Sequence, residues 1–115
     1  MNVVVLRGTV SSEPRHRELP SGSTVTQIEV TTRSADRTTS VPVAVHGRAV
    51  TCRPGDELVV IGTVQRRFFR AGGVTQSRTE VVAERVVSAK RRRDCDRAIE
   101  QAAELLNRSP TDPLV

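Results

Sequence analysis

The first 89 residues contain short segments that either alternate between apolar and polar residues or form β-branched and apolar runs, and both patterns are typical of β-strands. Glycine, proline and serine residues punctuate these segments. The pattern predicts five strands, over residues 3–10, 24–32, 39–46, 57–64 and 76–87. We interpret Ser11 to Pro20 as a turn-like connection that contains proline, and Ser34 to Arg37 as a loop.

Two of the predicted strands carry further detail. Gly8 interrupts the first strand and indicates a bend or bulge, as a barrel corner requires. In the third strand, Ser40 and His46 share the exposed face, and Pro42 predicts an unpaired or bulged stretch because it cannot donate a ladder hydrogen bond. The opposite, core face of that strand consists of three valines, Val41, Val43 and Val45.

Five strands of uneven length, with corners marked by glycine, describe an all-β protein with a five-stranded OB-fold barrel. An immunoglobulin-like sandwich needs about seven strands. After residue 89, Asp94 is predicted to cap a short C-terminal α-helix of roughly 14 residues, with an apolar stripe that must be buried on the barrel or on another subunit. We therefore divide the chain into an OB-fold domain, residues 1–89, and a basic linker, helix and short tail, residues 90–115.

The candidate site lies where the fourth predicted strand ends. Phe68 and Phe69 are the only aromatic residues of the chain, and Arg66, Arg67 and Arg70 surround them. Exposed rings among guanidinium groups can stack on unpaired bases and bind phosphates. The alternative is that one ring closes a barrel end and the arginines are only solvated.

Composition favours a nucleic-acid partner. The net charge is +5, and 17 of the 18 basic residues are arginine, which binds phosphate as a rigid fork. The two cysteines and two histidines lack metal-site spacing, so we expect free thiols, no metal and no cofactor. The sequence has no apolar run long enough to predict a membrane helix or a signal peptide. We therefore expect a cytoplasmic, nucleoid-associated protein.

The order of several segments resembles the bacterial single-stranded-DNA-binding protein family over roughly residues 2–87. The segments that carry the resemblance are residues 2–8, 43–47, 55–62, 67–69 and 79–83. The resemblance implies an OB-fold that wraps single-stranded DNA through aromatic stacking and basic grooves, in replication, recombination or repair. It also implies a homotetramer, with a dimer as the alternative, and no catalysis.

Only Phe69, with Phe68 beside it, keeps an aromatic at a family stacking position. His46 replaces the aromatic usual before Gly47, Ser40 is small and polar, and residues 32–34 offer only Arg33. Residues 112–114 are at most a faint echo of the acidic, Phe-terminated tail tip of the family. The candidate nucleic-acid-binding residues are therefore Phe69, Phe68, Arg67, Arg66, Arg70, His46, Arg33 and Arg48.

Two other functional classes compete with this hypothesis. One is an OB-fold protein-interaction module, similar to a primosomal adaptor, with weak or no DNA binding; the poverty of aromatics motivates it. The other is an enzyme, which we do not expect because the chain lacks a Ser-His-Asp arrangement and a phosphate-binding glycine loop before a helix. Acidic residues such as Glu80 and Glu84 are interpreted as solvated, and no small-molecule substrate or membrane partner is predicted.

Overall fold

The computed structural model describes residues 1–47 and 49–108. Their secondary structure consists of β1 (Val4–Val10), β2 (Arg15–Glu18), β3 (Thr24–Ser34), β4 (Arg37–His46), β5 (Glu57–Ala71), β6 (Val74–Ser88) and α1 (Arg92–Asn107).

Five of the strands close into a barrel. The sheet order is β1-β5-β6-β4-β3-β2, and β1 also pairs with β3 through Thr9 and Val10, which joins the two ends of the barrel. All pairings are antiparallel except the short one between β4 and β6. This is the predicted OB-fold, with β2 as an additional strand outside the barrel.

Gly8 lies where β1 passes from β5 to β3. It is paired with Leu58, and the next residue, Thr9, is in register with both Glu57 and Thr31. A Cβ atom at Gly8 would lie 2.5 Å from the Thr31 carbonyl oxygen. Glycine is therefore required here because two backbones approach closely at the barrel closure.

The barrel core is built mainly from valine. It contains Val10, Ile28, Val30, Val43, Val45, Cys52, Leu58, Val60 and Val81. The predicted core face of β4 is confirmed, since Val43 and Val45 are buried and Val41 packs against the same cluster. Ala44, on the face predicted to be exposed, is also buried. Close pairing on both sides explains this, because Ala44 is in register with Gln27 of β3 and Val82 of β6.

The segment interpreted as a turn from Ser11 to Pro20 instead contains β2. All four residues of β2 are exposed, and the strand pairs with residues 24–27 of β3. The His16 Nδ1 atom lies 3.1 Å from the Thr26 hydroxyl oxygen. Because the four residues of β2 include no apolar residue to alternate with the polar ones, the periodicity carried no strand signal, and the prediction was wrong here.

Pro42 does not interrupt the pairing between β4 and β3, which runs through it in register with Glu29. The other edge of β4 pairs with β6 only at Val43 and Ala44. The unpaired stretch expected near Pro42 is therefore found on the β6 side of the strand.

Helix α1 packs on the outer face of the barrel wall. Cys95, Ala98 and Ala102 are buried against Val59 and Ile61 of β5, and Val87 of β6 completes this cluster. The apolar stripe is thus covered by the chain's own barrel through its small residues, while Ile99 and Leu106 stay 45% and 56% exposed.

The predicted cap of this helix was wrong. Arg91 occupies the N-cap position, and no side chain caps the helix. Asp94 lies in the first turn, with its carboxylate 4.0 Å from Arg91 and 3.9 Å from Arg97. Two arginines adjacent to Asp94 draw its carboxylate into ion pairs within the first turn. The helix ends at Asn107 as predicted, and Pro110 lies outside the described residues.

Candidate nucleic-acid interface

A long hairpin of β5 and β6 extends beyond the barrel. The last pair between β1 and β5 is Val4 with Gly62, and β4 pairs with β6 no further than Val43 with Val81. From there β5 and β6 pair only with each other, as far as Ala71 with Val74. We call residues 64–71 and 74–81 the hairpin arm. At 3.3–3.4 Å per residue it is about 25 Å long.

The tip of the arm is a tight two-residue turn. Gly72 and Gly73 have φ angles of 60° and 79°, which residues with side chains rarely adopt. Consecutive positive φ angles are typical of the turn that matches the twist of paired strands. The glycines predicted to form this turn therefore set the register of the whole arm.

Phe68 and Phe69 lie on opposite faces of the arm. Successive residues of a strand point to opposite sides, so Phe69 shares one face with Arg67, while Phe68 shares the other with Arg66 and Arg70. We call these the Phe69 face and the Phe68 face. The single cluster of rings and guanidinium groups expected from the sequence is therefore divided into two surfaces.

The Phe69 face is internally paired. The Arg67 guanidinium carbon lies 5.4 Å from the centre of the Phe69 ring, a cation–π distance. Its Nε atom lies 3.5 Å from the Glu80 carboxylate, and Glu80 is only 7% exposed. The prediction that Glu80 is solvated is wrong, because Glu80 is buried beside an arginine on the neighbouring strand.

A second ion pair continues this face onto the barrel. Arg78 is in register with Arg67, and its Nη2 atom donates a hydrogen bond of 3.2 Å to the Glu29 carboxylate. The Ser40 hydroxyl donates to the other oxygen of Glu29 at 2.9 Å. Both arginines of the Phe69 face are thus neutralised by carboxylates, and the face is tied to β3 and β4.

The Phe68 face is open. The Phe68 ring is 66% exposed, and Arg66 and Arg70 are exposed on either side of it. Their cross-strand partners are small hydroxyl residues, Thr79, Ser77 and Thr75. Arg70 donates to the Gly73 carbonyl at 2.9 Å. Within the described residues, no carboxylate forms an ion pair with Arg66 or Arg70.

The other predicted residues lie on the barrel. Arg33 is exposed near the tip of the β3–β4 hairpin, and strand alternation places it on the same face of β3 as Glu29. His46 is exposed at the end of β4, where it lines a cleft of about 660 Å³ with Arg85 and Arg91. Ser40 and His46 are both exposed, as predicted, but Ala44 between them is buried. Arg48 lies outside the described residues.

Sequence reasoning missed three residues of the interface, Glu29, Arg78 and Glu80. Their roles depend on which residues lie opposite one another in neighbouring strands. The alternating pattern predicted the strands but contained no signal for that register.

The described residues hold no group of three or more histidine, cysteine, aspartate or glutamate side chains that could bind a metal ion. Over the same residues, no helix is long and apolar enough to cross a membrane.

A closed OB-fold barrel with a protruding arm of arginines and aromatic rings defines a protein with a surface suited to unpaired nucleic acid. The model of the single-strand binding protein family matches residues 1–89, and the chain belongs to this family. The resemblance found in the sequence is thereby confirmed.

Two solved structures are similar in fold. One is the Plasmodium falciparum SSB in complex with ssDNA, with a TM-score of 0.65 and 18% identity over 76% of this chain and 94% of that one. The other is the wild-type single-stranded DNA binding protein from Thermus aquaticus, with a TM-score of 0.64 and 26% identity over 76% of this chain and 40% of that one. No curated protein matches the sequence.

Proposed function

We propose that this protein binds single-stranded DNA, without catalysis, in support of replication, recombination or repair. Membership of the single-strand binding protein family over residues 1–89 supports the proposal. The observation that carries it is the hairpin arm, which presents the only aromatic rings of the chain among arginines, away from the barrel core. We expect the protein to act in the cytoplasm, associated with the nucleoid.

We expect charge to contribute more than base stacking to the free energy of DNA binding. The chain offers two rings, and the surface around them is rich in arginine. Each phosphate neutralised by an arginine releases counterions, so binding weakens as salt rises. The candidate DNA contacts proposed from the sequence are Phe68, Phe69, Arg66, Arg67, Arg70, Arg33, His46 and Arg48; of these, Phe68, Arg66 and Arg70 form the open face of the arm.

The proposal is tested by fluorescence polarisation with labelled oligo-dT and a duplex of the same length, at low and near-physiological salt. We expect selective binding of the single strand that persists at the higher salt, because base stacking requires unpaired bases. Equal binding of both DNAs, lost at the higher salt, would contradict the proposal and would mean that net charge alone attracts DNA.

We also propose that the protein is a homo-oligomer, a tetramer in preference to a dimer. Strand β1 pairs with β5 over residues 4–9 but with β3 only at Thr9 and Val10. Among the described residues, no strand covers the other edge of Val4 to Gly8. An open strand edge invites pairing with another chain, and a second copy is the partner always present.

The second candidate function is a protein-interaction module with weak or no DNA binding. Two observations favour it: the arginines of the Phe69 face are already paired with carboxylates, and α1 leaves Ile99 and Leu106 exposed. A single protein partner that binds at the exposed side of α1, together with no retention of the protein on immobilised oligo-dT, would support this candidate over the first.

A further inference from the structure

We infer that the single strand stacks on Phe68, and that the Phe69 face holds the arm to the barrel instead of binding DNA. The inference rests on the proposed function and specifies which of two adjacent rings contacts the bases. It reverses the assignment implied by the family pattern, in which Phe69 occupies the stacking position.

Exposure separates the two rings. A base can stack only on a ring whose face is accessible, and Phe68 is 66% exposed whereas Phe69 is half-buried. The Arg67 guanidinium lies above the Phe69 ring at 5.4 Å. A base that stacked on this side of Phe69 would first have to displace Arg67.

The charges of the two faces also favour the Phe68 face as the DNA-binding side. On the Phe69 face, Arg67 lies against Glu80 and Arg78 against Glu29, so a phosphate would have to compete with carboxylates that are already in place. On the Phe68 face, Arg66 and Arg70 have no carboxylate partner among the described residues. The Phe68 face is the side of the arm that attracts an anion.

The spacing of the Phe68 face also fits an extended strand. Same-face residues are about 6.6–6.8 Å apart along a β-strand. Phosphates of an extended single strand are separated by roughly twice the 3.4 Å per-strand rise of B-DNA. Arg66 and Arg70, two such steps or about 13 Å apart, therefore match every second phosphate, with the Phe68 ring midway between them for a base. The hydroxyl of Ser77, directly across from Phe68, is placed to bond the edge of the stacked base.

The Phe69 face has a structural role that explains its ion pairs. Glu80 is buried at the base of the arm, and Arg78 reaches Glu29 on β3 of the barrel. Beyond Val81, no other strand of the described residues pairs with the arm. The Arg78–Glu29 pair therefore joins the arm to the barrel, while Arg67, Glu80 and the half-buried Phe69 ring pack within the arm itself.

The experiment exploits the absence of tryptophan and tyrosine from the chain. Two full-length variants, Phe68→Trp and Phe69→Trp, each introduce a single fluorophore at one of the two adjacent positions. Oligo-dT is titrated into each, after circular dichroism has verified that both are folded. We expect strong quenching of Phe68→Trp, because a stacked base contacts the indole, and little quenching of Phe69→Trp.

Affinity provides the second measurement. Removing a stacking ring costs roughly 5- to 150-fold in affinity for single strands. We expect a loss in this range for Phe68→Ala, and less than about a twofold loss for the control Val74→Ala, which removes exposed apolar surface from the arm without removing a ring. Phe69→Leu is expected to lower the melting temperature of the protein, and to change its affinity for oligo-dT by less than about twofold.

Salt dependence distinguishes the arginines. Arg66→Ala and Arg70→Ala should each reduce the slope of log K against log salt by about 0.7, the value for one phosphate contact on a single strand. Arg67→Ala should leave the slope nearly unchanged, because Glu80 already neutralises Arg67.

Quenching and affinity loss confined to the Phe69 variants would overturn the inference, as would equal quenching at both positions. Failure of the proposed function gives a different result, because the wild-type protein itself would then not bind oligo-dT selectively. Wild-type binding with an unaffected Phe68→Ala variant overturns only the assignment of the ring.

Discussion

Gly62 is a residue whose lack of a side chain is required by the barrel. It pairs with Ala83, whereas its neighbour Ile61 pairs with Arg85, so Glu84 is an extra residue that forms a bulge in β6. A Cβ atom at Gly62 would overlap the carbonyl oxygen of Val82 and lie 3.0 Å from the Ala83 Cα atom. Both are backbone atoms that cannot rotate away.

We therefore expect Gly62→Ala to lower the free energy of unfolding by about 1–3 kcal/mol, since the strands must separate to admit a methyl group. Urea unfolding followed by circular dichroism at fixed protein concentration measures the change. The control is Ser77→Ala on the exposed arm, which should remain within about 0.5 kcal/mol. Equal midpoints for Gly62→Ala and the wild type would contradict the close strand approach at the bulge.

At the same scale, Phe68 and Phe69 demonstrate how much adjacent residues can differ. Both stand in a run of arginines, and composition treats them alike. Strand alternation gives one ring solvent and small hydroxyl neighbours, and the other a guanidinium that is itself paired with the buried carboxylate of Glu80. Because Glu80 is eleven residues from Phe69 in sequence, only the strand register reveals this environment.

Helix α1 is the element whose packing differs most from its sequence pattern. The stripe of apolar residues was predicted, but its small members carry the contact: Ala98 is fully buried and Ala102 is 1% exposed, whereas Ile99 is 45% exposed. Small side chains allow the helix to approach the sheet closely. The contact of α1 with Val59 and Ile61 thus depends on the small side chains of Ala98 and Ala102.

Ala98→Leu should for this reason reduce the free energy of unfolding by about 1–3 kcal/mol through overpacking between helix and sheet. The matched control is Ala103→Leu on the exposed side of α1, expected within about 0.5 kcal/mol. Leucine and alanine have similar helix propensity, so the difference between the two variants reports packing alone. Thermal melts that do not distinguish the variants would show that α1 does not pack against the barrel.

The division of the chain into residues 1–89 and 90–115 stays a prediction. The family match ends at residue 89, and α1 begins at Arg92. The helix nevertheless buries apolar side chains of the barrel wall, including Val59 and Ile61. We expect a barrel without α1 to expose these residues to water and to lose stability accordingly.

For the molecule as a whole, the open edge of β1 links the fold to assembly. The proposed oligomer predicts a mass that is a multiple of 12.6 kDa in light scattering at micromolar concentration. Val5, which is 48% exposed on β1, is the site for a test: Val5→Lys should reduce the mass, because a charge on a strand edge opposes pairing.

Val64→Lys is the control for this prediction, because Val64 is 43% exposed but lies on the arm instead of the β1 edge. It should leave the mass unchanged. A wild-type mass of 12.6 kDa would contradict the oligomer, and an unchanged mass for Val5→Lys would place the interface elsewhere.

The sequence by itself determined the barrel strands, the terminal helix, the glycines at the tip of the arm and the family, because local periodicity, turn chemistry and spaced motifs are properties of neighbouring residues. It also located the rings and arginines of the candidate interface. Strand β2 escaped prediction, since it has no apolar face and exists only through pairing with β3. The two-faced arm and the ion pairs of Arg67 and Arg78 were decided by the tertiary structure alone. Those contacts arise from register between strands that are distant in sequence, and register is a property of the folded sheet.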